Sequence, residues 1–220
     1  MQSMNSIDIV TPTMWCDENF IDYLKHYCDY SAVKSIILID NQKSKRPQDP
    51  ILSHPKIHLV GYHRNIYVNP AWNEGYYRSS SDVLCILNDD VFLKEEVFDT
   101  IAALDMTNID IIGARFGTDS NEQDEFIKLN LIPNKPIGMQ SYGFGVCIFI
   151  KRSVYKPIPS LYKIWYGDDH LIQNCKNVYV LKTNKLTGEV SKTVNTKGPI
   201  QKRIDLDVHN AYKYNRYFKQ

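Results

Sequence analysis

Between Val83 and Val91 the chain runs Val-Leu-Cys-Ile-Leu and then Asn88-Asp89-Asp90. An unbroken apolar run rich in branched residues reads as a strand buried on both faces, as in a parallel sheet. It ends in an amide and two carboxylates. Bare carboxylates at the end of a core strand need a cation, a hydrogen-bond network or open solvent. In open α/β sheets the carboxyl ends of the strands are where ligands bind. Mg²⁺ and Mn²⁺ favour oxygen ligands, and such ions take one or two carboxylates plus substrate phosphates. The triplet therefore reads as a metal–diphosphate site. A second reading stays open, in which Asp90 merely caps the helix containing Lys94-Glu95-Glu96-Val97-Phe98.

The neighbouring segments fit a layered sheet. Ile7-Asp8-Ile9-Val10 is a short strand stopped by Thr11-Pro12-Thr13, and Asp17-Glu18-Asn19 opens a helical pattern through Phe20, Tyr23, Leu24 and Tyr27. Val33 to Ile39 is a second strand ending at Asp40-Asn41, followed by a polar loop with Lys43, Lys45, Arg46, Pro47 and Pro50. Ile57 to Val60 is a third strand. Asn69 to Ser80 is a helix with Pro70 in its first turn. After the acidic triplet come a helix from about Lys94 to Leu104 and a strand from Ile109 to Gly113. This β-α-β-α-β alternation predicts an α/β domain: a mixed, mostly parallel central sheet flanked by helices. Thr11-Pro12, Asp40-Asn41 and Asn88-Asp89-Asp90 then line one edge, in outline a nucleotide-binding crevice. No G-x-G-x-x-G or G-x-x-x-x-G-K-[ST] loop occurs, which argues against NAD-binding and P-loop chemistry.

The second half is less regular. Phe126 to Leu131 and Gly143 to Ile150 read as strands, and Gly143 and Gly145 suggest close approach of a ligand or another backbone. Leu171 to Cys175 reads as a short helix, Asn177 to Leu181 as a last strand, and Leu206 to Phe218 as a basic, aromatic helix. With 43% hydrophobic and 23% charged residues, 220 residues suffice for one core, so residues 1–220 are read as one domain. Fifteen tyrosines suggest a polar cleft that uses both ring and hydroxyl. A net charge of +1 offers no global argument for nucleic acid or acidic membranes. Five widely spaced cysteines, Cys16, Cys28, Cys85, Cys147 and Cys175, have no zinc-like spacing and read as reduced thiols of a cytosolic protein.

A second acidic pair, Asp168-Asp169, follows Trp165-Tyr166-Gly167. Two acids at a helix start serve as a cap and a dipole contact. They can also hold a general base over a sugar. Together with the first site they suit group transfer to an alcohol, the ion stabilising the leaving phosphate and the acid taking the hydroxyl proton.

The ordered motifs resemble the nucleotide-sugar glycosyltransferases of the GT-A fold, especially family two with its rhamnosyltransferase-like members. That family shows N-x-G twice, an apolar strand and N-x-D, then a glycine-flanked strand, an arginine and an aromatic-acid-acid motif. Here stand Arg64-Asn65-Ile66-Tyr67, Trp72-Asn73-Glu74-Gly75, Val83 to Leu87, Asn88-Asp89-Asp90, Gly143 to Ile150, Lys151-Arg152 and Trp165-Tyr166-Gly167-Asp168-Asp169. The resemblance spans roughly residues 6 to 195 and implies a metal-dependent, inverting glycosyltransferase. Its donor would be a UDP-, GDP- or dTDP-sugar, its acceptor a hydroxyl-bearing molecule such as a glycan, and its cofactor Mn²⁺ or Mg²⁺. By the same resemblance Asp90 and Asn88 hold the metal, while Thr11, Pro12, Asp40, Asn65, Asn73, Asn88 and Asp89 form the donor set. Asn65 and Asn73 could equally cap turns. Asp169 is the implied base, with Asp168 second. Residues 1–115 would be the donor half and 116–220 the acceptor half.

There are departures. Tyr67 replaces a glycine, so that turn is expected to differ, and Asn88 replaces the usual first carboxylate. No late metal-binding histidine stands out; His170 and His209 each read as structural. From Lys182 onward nine lysines and arginines face three acids. There the 187–193 stretch could close on the diphosphate through Lys192, form a solvated basic face, or bind a phosphate-bearing acceptor. The alternatives in function are a sugar nucleotidyltransferase, which usually carries a glycine-rich basic loop absent at Thr11-Pro12-Thr13-Met14, and a non-catalytic sugar-nucleotide-binding module. With no transmembrane stretch, the chain reads as cytoplasmic, soluble or peripheral. Its Asn, Lys, Ile and Tyr content fits an AT-rich genome, and its size a viral enzyme in a host cytoplasm.

Overall fold

A computed structural model describes residues 4–116, 124–130, 144–188 and 199–214. The first half contains β1 (Ile7–Thr13), α1 (Phe20–Asp29), β2 (Val33–Asp40), β3 (Ile57–Gly61), α2 (Val68–Arg78), β4 (Val83–Leu87), β5 (Val91–Leu93) and α3 (Glu95–Ala103). The second contains β6 (Ile111–Phe116), β7 (Glu125–Lys128), β8 (Cys147–Lys151), α4 (Gly167–Gln173), β9 (Val178–Thr183), β10 (Leu186–Gly188) and α5 (Pro199–Tyr214). Among the described residues eight strands form one sheet in the order β3-β2-β1-β4-β8-β6-β9-β7, and β5 pairs with β10 in a separate ribbon. β1, β2, β3 and β4 run parallel. β8 lies antiparallel between β4 and β6, β9 is parallel to β6, and β7 is antiparallel to β9. The sheet is mostly parallel and mixed, as the alternation of segments predicts.

The apolar strands are covered on both sides. Ile7, Ile9, Ile36, Leu38, Cys85 and Leu87 pack with Phe20, Leu24 and Tyr27 of α1 and with Val97, Phe98 and Ile101 of α3. The alternate residues Val10, Ile37, Ile39, Leu84 and Ile86 join Ala71 and Trp72 of α2 and Leu171 and Ile172 of α4. Side chains alternate faces along a strand, so an unbroken apolar run is what a doubly covered strand requires. Each large side chain so buried contributes about 1.5–3 kcal/mol. α2 lies against β1 so closely that a Cβ at Gly75 would run into the Val10 side chain.

Strand β1 continues through Thr11-Pro12 to Thr13, where the sequence suggested a stop. The register explains how a proline is accommodated. β1 pairs with β4 only from Ile7↔Val83 to Val10↔Ile86, but with β2 as far as Thr13↔Asp40. Pro12 therefore lies where β1 has one neighbour, an edge position that tolerates a missing N–H. Parting of β1 and β4 also opens the sheet between strands whose connections run to opposite sides. This is the switch point where open α/β sheets bind ligands.

Other boundaries moved. α5 begins at Pro199 rather than Leu206, and α4 at Gly167 rather than Leu171, so α4 includes both acids. The glycine-flanked strand begins at Cys147, after a 3₁₀ turn over Phe144–Val146. Gly143, Leu131 and the 215–220 end lie outside the described residues. Strand β5 was not anticipated, because its partner β10 is remote in sequence. All five cysteines are free, and only Cys16 is exposed. Among the described residues, no helix is long and apolar enough to cross a membrane.

Candidate functional site

The ends of β1 and β4 meet across the opening between them. Thr13 Oγ1 donates to Asp89 Oδ2 at 2.7 Å and accepts the Trp15 N–H at 2.9 Å. Trp15 has φ 56°, a left-handed backbone uncommon for a bulky residue. Its indole Nε1 donates to Asp40 Oδ1 at 2.9 Å. Asp40 is fully buried at the end of β2, and Arg46 grips its other oxygen through Nε at 2.7 Å and a second guanidinium nitrogen at 2.5 Å. The Gln42 N–H adds a bond at 3.0 Å. A buried carboxylate persists only with such partners. Trp15 and Arg46 thus hold the implied donor-binding acid in place.

The loop before α2 lies alongside. Asn65 Oδ1 accepts the Tyr67 N–H at 2.7 Å while its Nδ2 reaches Met14 Sδ at 3.7 Å, so Asn65 caps a turn beside the end of β1. Asn41 Oδ1 accepts the Ile66 N–H at 3.0 Å. Tyr67 has φ 70° and ψ 179°, a conformation that ordinarily needs glycine. Tyr67 stands where the resembled motif has glycine, and its backbone bears the strain of that conformation. Asn73 faces elsewhere: it bonds Ile158 O at 2.8 Å, the Ile158 N–H at 2.8 Å and Tyr155 Oη at 2.9 Å. It has the turn-holding role left open above. Thr11 and Pro12 are buried in β1.

The acidic triplet does not start a helix. The N-cap of α3 is Lys94, beyond the whole of β5, which removes the capping reading of Asp90. Asp90 is 6% exposed. Burial and then the adjacent Asp90 charge push the Asp89 carboxyl up to about 6, against the Thr13 hydroxyl that stabilises its anion. Buried Tyr27 of α1 donates to Val91 O and accepts the Leu93 N–H, both at 3.1 Å, fixing the strand that follows the triplet. Gly188, with φ 141°, packs on the Asp90 carbonyl, where any side chain would collide. Of the stretch suggested to close on the diphosphate, Thr187 and Gly188 belong to β10, whereas Lys192 lies outside the described residues. Among the described residues no group of three His, Cys, Asp or Glu side chains is placed to hold a metal ion. The triplet offers an amide oxygen at Asn88 and the two carboxylates of Asp89 and Asp90, and phosphate-bound Mg²⁺ commonly takes one or two protein carboxylates.

Asp168 and Asp169 occupy the first turn of α4, and its N-cap is Tyr166 in the left-handed conformation (φ 62°, ψ 11°). Neither acid is the cap. Gly167 is wedged against Asn69 and Trp72, and Asn69 Nδ2 donates to Trp165 O at 2.9 Å. Burial raises the Asp168 carboxyl above its ordinary value, while the N–H groups of Asp169, of Asp168 itself and of Gly145 work against that rise. Asp169 is 8% exposed. A Cβ on Gly145 would stand 3.5 Å from Asp168 Oδ2, and the next residue, Val146, accepts the Asn88 N–H at 3.1 Å. The short Phe144–Val146 turn therefore touches the triplet on one side and the acid pair on the other. Both acidic features share one edge of the sheet.

His170 is held by the backbone of Lys156 and Pro157, and its burial lowers the ring's pKa, which fits a structural histidine. His209 is exposed on α5. Thr13, Trp15, Arg46 and Asp207 were not singled out from sequence. Arg46 sits in a run of polar residues that resembles an ordinary solvated loop. Asp207 looks like any helical acid, save for Arg203 one turn before it.

No protein-family model matches the chain, and no curated protein matches it. Solved structures do. The 1–349 fragment of S. aureus TarS is 11% identical with a TM-score of 0.60, over 96% of this chain and 73% of that one. Its complex with UDP-GlcNAc gives 0.58 at 11% identity, over 96% and 74%. A longer S. aureus TarS structure gives 0.61 at 12%, over 96% of this chain and 44% of that one. At this identity the likeness shows the fold: an α/β domain with a mostly parallel mixed sheet, of the kind found in GT-A-like proteins.

Proposed function

We propose that the chain is a nucleotide-sugar glycosyltransferase that moves a sugar to an acceptor hydroxyl with inversion at the anomeric carbon. The observation that carries this reading is the shared edge. The triplet at the switch point and the acid pair of α4 flank one three-residue turn, as a diphosphate site and a general base must. The UDP-GlcNAc complex of S. aureus TarS supports a UDP-sugar as the first donor to test.

In this reading Asp90 and Asn88 would hold Mn²⁺ or Mg²⁺ together with the donor's phosphates. When bound, such an ion supplies positive charge to the leaving diphosphate. Thr13 orients Asp89 beside it. Asp40, buried and braced by Trp15 and Arg46, would back the nucleoside site, and the Asn65–Tyr67 turn would border it. Asp169 accepts the proton of the acceptor hydroxyl as that oxygen attacks the anomeric carbon and the bond to the diphosphate breaks; Asp168 is the second candidate. Burial raises the Asp168 carboxyl, the direction that makes a carboxylate a stronger base.

The test is release of nucleoside diphosphate from UDP-, GDP- and dTDP-sugars with Mn²⁺, with and without acceptor sugars. Turnover of one donor that is lost on chelation and restored by Mn²⁺ supports the reading. Absence of binding and turnover across all three donor classes removes it.

A further inference from the structure

The terminal helix α5 reaches back to the loop that presents the acid pair. Asp207, 0% exposed, points its carboxylate into three consecutive backbone N–H groups. Lys163 donates at 3.1 and 3.0 Å to its two oxygens, Ile164 at 2.7 Å, and Trp165 at 3.1 Å. Successive N–H groups aimed at one point form an anion-binding concavity. Here the chain's own side chain fills it. Arg203, one turn earlier on α5, bonds Asp207 at 3.2 Å and the Leu161 carbonyl at 2.8 Å. Asn210 adds a bond to the same carbonyl at 3.2 Å. From the other side, the Asn69 N–H donates to Lys163 O at 2.9 Å and its amide to Trp165 O at 2.9 Å.

Residues 161–165 are thus clamped between α5 and α2. The next residue is left-handed Tyr166, then come tightly packed Gly167 and the acids, with no slack between. We infer that Asp207 is a positioning residue: by fixing the backbone of Lys163–Trp165 it sets where Asp168 and Asp169 stand relative to the donor edge. This rests on the function proposed above. It goes further in assigning the geometry of the base to a residue of α5, a helix that supplies neither acid of the pair.

A displacement of about 1 Å at a reacting group costs on the order of 10²-fold in rate. Asp207→Asn, which puts an amide against three N–H donors, is expected to lower kcat by about 10- to 100-fold and leave the KM for the sugar nucleotide within about twofold. The deciding measurement is a double-mutant cycle with Asp169→Ala. A residue acting only through the base adds nothing once the base is gone, so Asp207→Asn should then change the residual rate by less than about twofold. An undiminished kcat, or the same fold-loss in both backgrounds, overturns the inference. Should Asp207→Asn not fold, Asp207→Glu in the same cycle decides, since it keeps the charge beside Arg203 and shifts the carboxylate off its three N–H groups by one methylene. Amide hydrogen exchange reads the claim without any activity. Either variant should speed exchange at residues 163–169 while β1 and β4 stay protected, and unchanged exchange there also overturns it. A wild-type protein inactive on every sugar nucleotide would sink the proposed function and leave the exchange result to judge the clamp.

Discussion

An acid meets each end of β1, Asp8 buried and Asp89 half-buried, and the chain treats the two in opposite ways. At its start Asp8, 1% exposed, accepts from Ser35 Oγ at 2.6 Å, Ser79 Oγ at 2.7 Å, and the N–H groups of Ser80 and Ser81 at 2.9 and 3.0 Å. Burial alone would raise its pKa, but the serine donors outweigh burial and hold the carboxyl below its ordinary range. At the far end Thr13 meets Asp89, whose carboxyl burial and Asp90 push up to about 6. Burying a carboxylate costs several kcal/mol in either place. One end meets that cost internally, tying β1 to β2 and to the turn after α2. The other crowds acids together where the sheet opens. Asp8, served by serine donors at the end of β1 away from the opening, marks structure; acids crowded at a switch point mark a place prepared for a ligand.

Five experiments would break or sharpen this contrast. Asp169→Ala should lower transfer by about 10²- to 10⁴-fold while its melting temperature and its affinity for the sugar nucleotide stay near wild type. Normal turnover would pass the base role to Asp168. Asp8→Ala should do the reverse: it strands two hydroxyls and two N–H groups in a buried site, costing about 3–5 kcal/mol of stability in urea unfolding. Catalysis per folded molecule should survive. If Asp8→Ala is as stable as wild type, the division between the two ends of β1 is wrong.

Asp90→Ala should weaken Mn²⁺-assisted binding of the sugar nucleotide by about 10- to 100-fold, measured by titration calorimetry, with little loss of stability. A loss of stability matching that of Asp8→Ala would make the triplet structural. The smallest effect is expected at Tyr67. Replacing it with glycine relieves a positive-φ strain of about 1–3 kcal/mol and returns about 0.5–1 kcal/mol through added chain entropy. The net gain should be about 1 kcal/mol.

Asp8 also sets a pH dependence. Its folded pKa is depressed, so its stabilisation is fully present above the unfolded value of about 3.9 and is lost as pH falls through the lower folded value. The stability gap between wild type and Asp8→Asn should be flat from pH 7 to about 5 and narrow below about 4.

Much of the fold is legible in the chain because it is periodic. Val83–Leu87 and Ile36–Ile39 are apolar at every position, and that pattern states double coverage wherever the partners come from. The acidic motifs are legible too, since acids after a core strand or at a helix start are anomalies that local chemistry exposes. The second N-x-G motif shows where such reading stops. Resemblance puts Asn73 in the donor set and leaves open that it holds a turn; its side chain bonds Tyr155 and Ile158, while Gly75 makes room for Val10. Local pattern cannot tell a polar group facing a ligand from one facing a distant carbonyl.

What the order of residues determined by itself is the layering of the sheet and the two places where acids interrupt it, because hydrophobic periodicity and charge are local properties. Which acid is braced and which is crowded was decided only in three dimensions. Asp89 meets Thr13, Asp40 meets Trp15 and Arg46, and Asp207 meets the loop before α4, in three cases joining segments more than twenty positions apart. Hydrogen bonds and ion pairs act over a few ångströms of space, so an acid's role is set by the neighbours that folding brings to it.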